Sequence, residues 1–369
     1  MIHAVPRRPH PAVGRVRRPR RPPRPSRASA ALLAALLLAA LSACTAGSPP
    51  SGAPSAPATT AGTARGTAGA TAGGTAPSAG AASPATGGVP GTTPSRQVPT
   101  KVLVIAMENE TYGSVIGSGN APYLDSLAHD FATATAMDAG YPTACPSLAA
   151  YLLMTSGDRY GVCDDADPSA HPIAGDNVFQ QVAASGREWR NYAESMPGPC
   201  ERRNSGHFLV RHAPAAYYLS EAGRCGASMV PLGTDTAGAL HDDLAAGTLP
   251  AYGFVTPDEC HDMHGGNGCP DDNLVTSGDR WLRTWMGQIM AGPDYRAGRL
   301  IIFISWDEGD RHSNHIPLLA VSPLLHGRTI SRPITQCHLL RTTQDVLGLT
   351  PLGCAAQADS LAPDLGLSG

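Results

Sequence analysis

The feature that most constrains this chain is a pair of short, wholly apolar runs that each end in acids. Val102-Leu103-Val104-Ile105-Ala106-Met107 leads straight into Glu108-Asn109. Leu300-Ile301-Ile302-Phe303-Ile304-Ser305-Trp306 leads into Asp307-Glu308. A run of this length without polar alternation fits a strand covered on both faces, as in a parallel sheet. Open parallel sheets gather their ligands outside the carboxyl ends of the strands. Two acidic ends brought to one edge would make a metal or acid–base centre.

The intervening segments alternate strand-like and helix-like patterns. Helices are expected at 122–131, 147–155, 176–184, 235–246, 279–291 and 338–347, and further strands at 132–139, 189–192, 251–255 and 316–322. Such alternation implies an α/β domain with a mostly parallel central sheet and helices on both faces.

The domain does not begin at residue 1. Residues 1–27 hold nine of the 27 Lys+Arg and no acid, and residues 31–41 form an apolar run too short to span a bilayer. A basic segment, a short apolar segment and small residues read as a secretion signal. Its end, Leu41-Ser42-Ala43-Cys44, resembles a bacterial lipobox, in which the cysteine is lipidated and becomes the new N-terminus. Residues 45–98 are almost entirely Gly, Ala, Ser, Thr and Pro and cannot bury a core. The expected organisation is a lipoprotein signal peptide at 1–43, a disordered tether at 44–98 and a catalytic domain at 99–369. Cys44 would then anchor the domain to the outer face of the cell membrane.

Removing the signal takes away nine basic residues and none of the 30 acids, which leaves a balance of −12. That charge argues against nucleic acid as a partner. Of nine cysteines, eight remain beyond Cys44, and they fall as near neighbours: Cys145/Cys163, Cys200/Cys225, Cys260/Cys269 and Cys337/Cys354. Export permits disulfides, and four local bridges is the economical arrangement; zinc binding by thiolates is the alternative, although no C-x-x-C pair occurs.

No G-x-S-x-G, P-loop, H-E-x-x-H or strand-linked G-x-G-x-x-G occurs. Four other stretches could carry chemistry. Glu108-Asn109 offers an oxygen pair for a hard or borderline cation, although Asn is also a good cap. Ser147 opens a helix, where free N–H groups and partial positive charge could hold an anion while the hydroxyl attacks it. Serine is an ordinary helix cap as well. Asp258-Glu259-Cys260-His261-Asp262-Met263-His264 is dense in ligands, and Asp262 and His264 would point the same way in an extended segment. Asp307-Glu308-Gly309-Asp310, with His312 and His315 soon after, needs a turn to bring both acids inward, and Gly309 allows one.

Taken in order, these stretches resemble the phosphoesterase family that contains bacterial acid phosphatases and phosphocholine-type phospholipases C, a branch of the alkaline-phosphatase-like superfamily. The matching pieces are Val-Ile-Ala-Met-Glu-Asn-Glu-Thr-Tyr at 104–112, Ala-Pro-Tyr-Leu-Asp-Ser-Leu-Ala at 121–128 and Pro-Ser-Leu-Ala-Ala-Tyr-Leu-Leu-Met-Thr-Ser-Gly at 146–157. Cys-His-Asp-Met-His at 260–264, Gly-Asp-Arg-Trp-Leu at 278–282, Ser-Trp-Asp-Glu at 305–308 and Asn-His-Ile-Pro at 314–317 complete the set. The resemblance implies an alkaline-phosphatase-like fold and metal-assisted hydrolysis of phosphate esters. It implies Ser147 as nucleophile and metal ligand, with Glu108, Asn109, Asp307 and Glu308 as further ligands. Asp262 and His264 are its candidates for a second divalent ion or for orienting substrate, and His261 and His315 for contacting substrate. The chain departs from many relatives at Cys145, where they carry His, and at Ala149-Ala150, where they carry Pro-Asn.

The expected activity is therefore phosphatase action, monoesters preferred, on a small-molecule or lipid phosphate ester outside the cytoplasm. The alternatives are a phosphodiesterase or phospholipase C-type hydrolase, and a non-catalytic solute- or wall-binding lipoprotein.

Overall fold

The computed structural model describes residues 98–270 and 273–367; the expected signal, lipobox and tether fall outside the described residues, apart from Val98. Among the described residues, nine strands form one sheet. They are β1 (Lys101–Met107), β2 (Ala132–Asp138), β3 (Trp189–Ala193), β4 (Met229–Pro231), β5 (Tyr252–Thr256), β6 (Leu300–Trp306), β7 (His315–Val321), β8 (Arg328–Ile330) and β9 (Ile334–Thr335). Their order is β4-β3-β5-β1-β6-β7-β2-β8, with β9 also on β2. All pairings are parallel except those of β7, which runs antiparallel to both β6 and β2.

The two apolar runs are the centre of this sheet. β1 and β6 pair in register from Lys101↔Leu300 to Met107↔Trp306. Every residue of β6 is buried, as are six of seven in β1, as covering on both faces requires. The register carries past the last pair, because Asp307 N–H donates to the Met107 carbonyl at 2.9 Å. Glu108 and Asp307 thus emerge side by side at the carboxyl edge. Helix Gln336–Leu347 packs on β1 and on helix Leu148–Ser156, and helix Pro122–Asp130 lies against β2 and helix Leu274–Ala291.

Two helix boundaries differ from the sequence reading by more than two residues. The helix expected at 235–246 runs only over Ala239–Ala246. Thr234 and Ala237 close a tight turn before it, and the backbones of Gly233 and Gly238 meet so closely that a Cβ on Gly238 would lie 2.6 Å from the Gly233 Cα. The helix expected at 279–291 begins earlier, at Leu274. Asn273 caps it by accepting the Thr276 N–H, and Gly278, which hides the apolar period, leaves room for Met263. The short strands β4, β8 and β9 carry no pattern long enough to announce them.

All four neighbouring cysteine pairs are bridged: Cys145–Cys163, Cys200–Cys225, Cys260–Cys269 and Cys337–Cys354. The first fixes the segment just before helix Leu148–Ser156, and the third closes the turn after β5.

Candidate active site

The site forms where β1, β5 and β6 end. Glu108 follows β1, and its own N–H donates to the Asp262 carbonyl at 2.8 Å, which ties it to the turn after β5. Asn109 takes a left-handed conformation, φ 55°, and turns its N–H onto Asp307 Oδ1 at 3.2 Å. The same oxygen accepts the Glu308 N–H at 2.6 Å. Asp307 is therefore fully buried with one oxygen bridging two strand ends. The turn that swings Glu308 inward needs Gly309, because a Cβ there would meet the Ser313 carbonyl at 2.0 Å. Asn314 locks that turn, accepting from Gly309 N–H and donating to the Tyr141 carbonyl at 2.8 Å. Tyr141 in turn donates its hydroxyl to Glu308 Oε2 at 3.1 Å.

Ser147 stands in the cap position of helix Leu148–Ser156 but makes no side-chain cap hydrogen bond. Its hydroxyl donates to Glu108 Oε2 at 3.1 Å. The helix is capped from outside, by Asp165 Oδ1 accepting the Leu148 N–H at 3.0 Å. This corrects the expectation that the first N–H groups of the helix stand free for an anion: Leu148 gives its N–H to Asp165, and Ala149 and Ala150 give theirs to the carbonyls of Pro146 and Ser147. Asp165 Oδ2 also lies 3.2 Å from Arg211 Nε, within reach of charge attraction but not aligned as a hydrogen bond.

A second correction concerns Asp262 and His264. The segment is a turn and not extended, with Met263 at φ 83°. Asp262 Oδ1 accepts the His264 N–H at 2.7 Å, and His264 Nδ1 donates to the Gly265 carbonyl at 2.6 Å. That bond fixes the proton on Nδ1 and leaves Nε2 as the nitrogen able to bind a cation.

His212, at the end of the short 3-10 turn Val210–His212, was not legible in the sequence. It is buried between two acids, with Nε2 2.7 Å from Glu108 Oε1 and Nδ1 3.4 Å from Asp262 Oδ2. Its ring stacks on Tyr151 at 5.1 Å and 11°. The segment around it, Arg211-His212-Ala213-Pro214, has neither helical nor strand periodicity, so only long-range packing brings it here.

The electrostatics follow from crowding. Burial pushes the Asp307 carboxyl well above the usual range, and the neighbouring charges of Glu108 and Glu308 push it the same way. Burial and Glu108 raise Glu308 to about 7, and burial raises Asp262 to about 6. Burial would also raise Glu108, but His212 foremost, then His264 and Arg211, pull it down to about 2. Burial disfavours a charged His212, yet Glu108 and Asp262 outweigh it and lift the imidazole to about 9.

Glu108 Oε1, Asp262 Oδ2 and Asp307 Oδ2 are buried without a hydrogen-bond partner, the first two facing only His212. Orphaned buried carboxylate oxygens are costly unless a positive charge meets them. An oxygen-rich donor set with one imidazole fits a hard or borderline divalent cation. Glu108, His212 and Asp262 each offer one ligand atom within 4.8 Å of the others. A cavity of about 360 Å³ opens at Asn109 and Glu308, walled also by Thr143, Cys145, Pro146 and Arg311.

The structure thus gathers Glu108, Asn109, Ser147, Asp262, Asp307 and Glu308 at one edge, with His264 on the adjoining turn. It does not bring His261 and His315 to that cavity. His261 is held by Glu194 Oε2 at 3.0 Å and Asp258 Oδ1 at 3.2 Å, and it lines a separate cavity with Arg280, Trp281 and Trp285. His315 stacks on Tyr112 at 5.1 Å, and its Nε2 lies 2.9 Å from the Thr135 carbonyl.

The chain is similar to known proteins in sequence and fold. Residues 116–333, well over half of the chain, match the Phosphoesterase family. The phosphatidylinositol-3-phosphatase of Mycobacterium tuberculosis is 24% identical over 260 residues, covering 70% of this chain and 80% of that protein. An acid phosphatase of Aspergillus fumigatus is 23% identical over 189 residues, covering 49% of this chain and 40% of that protein. The fold resembles that of an alkaline phosphatase superfamily protein from Vibrio parahaemolyticus, with a TM-score of 0.51 at 14% identity over 73% of this chain and 72% of that one.

Proposed function

The chain belongs to the phosphoesterase family and hydrolyses phosphoric esters, and from that premise we propose that it is a metal-dependent phosphatase, preferring monoesters, whose nucleophile is Ser147. One observation carries the reading. Ser147 occupies a place where serine ordinarily caps its own helix, yet its hydroxyl turns to Glu108 Oε2 at 3.1 Å.

Glu108, Asn109, Ser147, Asp307 and Glu308 would hold a divalent ion, with Asp262 and His264 available for a second ion or for orienting substrate. The buried oxygens without a hydrogen bond on Glu108, Asp262 and Asp307 support that reading. A bound divalent ion would stabilise charge on the phosphoryl oxygens and acidify the serine hydroxyl.

The chain's own residues supply position. Glu108 orients the hydroxyl of Ser147 by accepting its hydrogen bond, and the residues just before Ser147 wall the cavity from which phosphorus would approach. Arg311 on that wall offers a cation to the incoming phosphate. Attack forms the Oγ–P bond and expels the alcohol, giving a phosphoseryl intermediate. Water then breaks that bond and releases phosphate. The names of the two relatives, both phosphatases, support a monoester, in a lipid or a small molecule.

We place the activity outside the cytoplasm, tethered through lipidated Cys44. Four disulfides in the catalytic domain support an oxidising compartment. The test of the mechanism is Ser147→Ala, assayed on p-nitrophenyl phosphate and on bis(p-nitrophenyl) phosphate with Mn²⁺. Turnover of the monoester falls by more than about a thousandfold with the melting temperature unchanged. Undiminished turnover removes Ser147 as nucleophile, and a faster diester reaction in the parent enzyme removes the monoester preference.

A further inference from the structure

The Glu108 carboxylate has two faces and two partners. Oε2 accepts from Ser147, while Oε1 lies 2.7 Å from His212 Nε2. The terminal torsion of a glutamate is broad, so its carboxylate plane rotates freely unless both oxygens are held. His212 is itself held on three sides. Its second nitrogen faces Asp262 Oδ2 at 3.4 Å, its ring lies flat on Tyr151, and it is buried. Tyr151 sits four residues after Ser147, on the same face of the same helix.

Asp262 is anchored in turn. Its carbonyl accepts the Glu108 N–H, its own N–H donates to the Asp258 carbonyl, and its Oδ1 accepts the His264 N–H. Main chain and side chain of Glu108 are therefore tied to the same turn, the first directly and the second through His212. The ring closes a loop of contacts joining the end of β1, the helix that begins after Ser147 and the turn after β5.

We infer that His212, backed by Asp262, is a positioning residue that clamps the Glu108 carboxylate in the orientation that meets both the Ser147 hydroxyl and a divalent ion. The inference rests on the role given above to Ser147 and Glu108. A merely structural histidine would serve by filling space and stacking on Tyr151, and phenylalanine would do that equally well. A clamp needs the nitrogen that faces Glu108.

The experiment compares His212→Phe and His212→Gln in the full chain by three readouts: melting temperature, kcat and KM on p-nitrophenyl phosphate, and Mn²⁺ affinity by calorimetry without substrate. The Phe variant leaves two buried carboxylates without the imidazole and melts lower. Assayed where it stays folded, it keeps its KM but loses about 10- to 100-fold in kcat and in Mn²⁺ affinity, the range seen when the partner that orients a metal ligand is removed. Gln, whose amide can still reach Glu108, recovers part of both. A Phe variant with parent kcat and Mn²⁺ affinity overturns the clamp, as does a Gln variant worse than Phe in both. Should Phe fail to fold, His212→Asn replaces it: its amide is too short to reach Glu108, and parent-like values in Asn overturn the inference equally. If Ser147→Ala stays active, the nucleophile reading fails by itself, and the order of Mn²⁺ affinities still decides the clamp.

Discussion

Two acidic clusters sit at opposite ends of one turn, and they differ in how completely their oxygens are used. Asp258 opens the turn. Its Oδ2 accepts from Ser195 at 2.6 Å, and its Oδ1 accepts the Cys260 N–H at 3.0 Å and lies 3.2 Å from His261. Glu194 Oε2 accepts from both the Asp258 N–H and His261, each at 3.0 Å. Four residues on, Asp262 belongs to a cluster in which buried Glu108 Oε1 and Asp262 Oδ2 make no hydrogen bond and face only His212, and buried Asp307 Oδ2 has no hydrogen-bond partner. Burial works against ionisation of Asp258, yet its hydrogen bonds with His261 and Ser195 win and lower its carboxyl. Asp307, with donors on one oxygen only, goes the other way. A hydrogen-bonded, partly exposed acidic cluster has the properties of a brace, whereas a fully buried one with unsatisfied oxygens has those expected of a cation site.

Charge removal in each cluster is the strongest way to break this contrast. Asp307→Asn keeps an oxygen for the Asn109 and Glu308 N–H groups and removes the unmet charge. Phosphatase turnover should fall by more than about a hundredfold, and the metal-free protein should melt no lower than the parent. The parent should gain about 2.7 kcal/mol from Mn²⁺ at a hundred times its Kd, and this gain should vanish in the variant. Asp258→Asn should do the reverse, costing about 1–3 kcal/mol of stability with Mn²⁺ binding intact. Thermal melts with and without Mn²⁺ read both, and loss of Mn²⁺ binding in the Asp258 variant would dissolve the distinction.

A smaller effect tests whether the catalytic edge depends on covalent support. The Cys145–Cys163 bridge closes an 18-residue separation directly before Ser147, and Cys145 walls the cavity. Replacing both cysteines with serine should cost about 3 kcal/mol, read as a lower denaturation midpoint, and should raise KM for p-nitrophenyl phosphate. Loss of the Cys337–Cys354 bridge, away from the cavity, should lower stability without moving KM.

The smallest effect concerns a histidine satisfied as an acceptor. His338 Nδ1 accepts the Thr335 N–H at 3.1 Å in a capping box, so it must be unprotonated there. Burial, aided by Arg332, holds its pKa below the ordinary 6.5. The folded state therefore favours the neutral ring. This contribution is fully present above pH 6.5 and is lost as pH falls through the lowered value. His338→Gln retains an acceptor and should flatten that part of the pH–stability curve, as measured by denaturant melts across acid pH.

Much of this was legible in the chain. β1 and β6 were visible because buried parallel strands must be apolar throughout, and their acids stood out because such runs end abruptly. Short sequence separations made the four disulfides readable as neighbours. The helix after Ser147 was visible as well, but not the direction of its hydroxyl. Serine caps helices so often that the local pattern favours that bond, and Asp165, 18 residues later, supplies the cap instead. β7 reads as one more apolar strand, and only the tight turn at Gly309 makes it return antiparallel.

By itself, then, the sequence determined which segments are buried strands, which cysteines are near enough to pair and which acids lie at strand ends. Those properties depend on periodicity and proximity along the chain. Tertiary structure alone decided that His212 stands between Glu108 and Asp262, that Ser147 turns to Glu108, and that His261 serves a brace in a different cavity. These contacts join segments 39 to 104 residues apart. They exist because a sheet covered by packed helices leaves each buried polar group few partners, and no local pattern specifies which one remains.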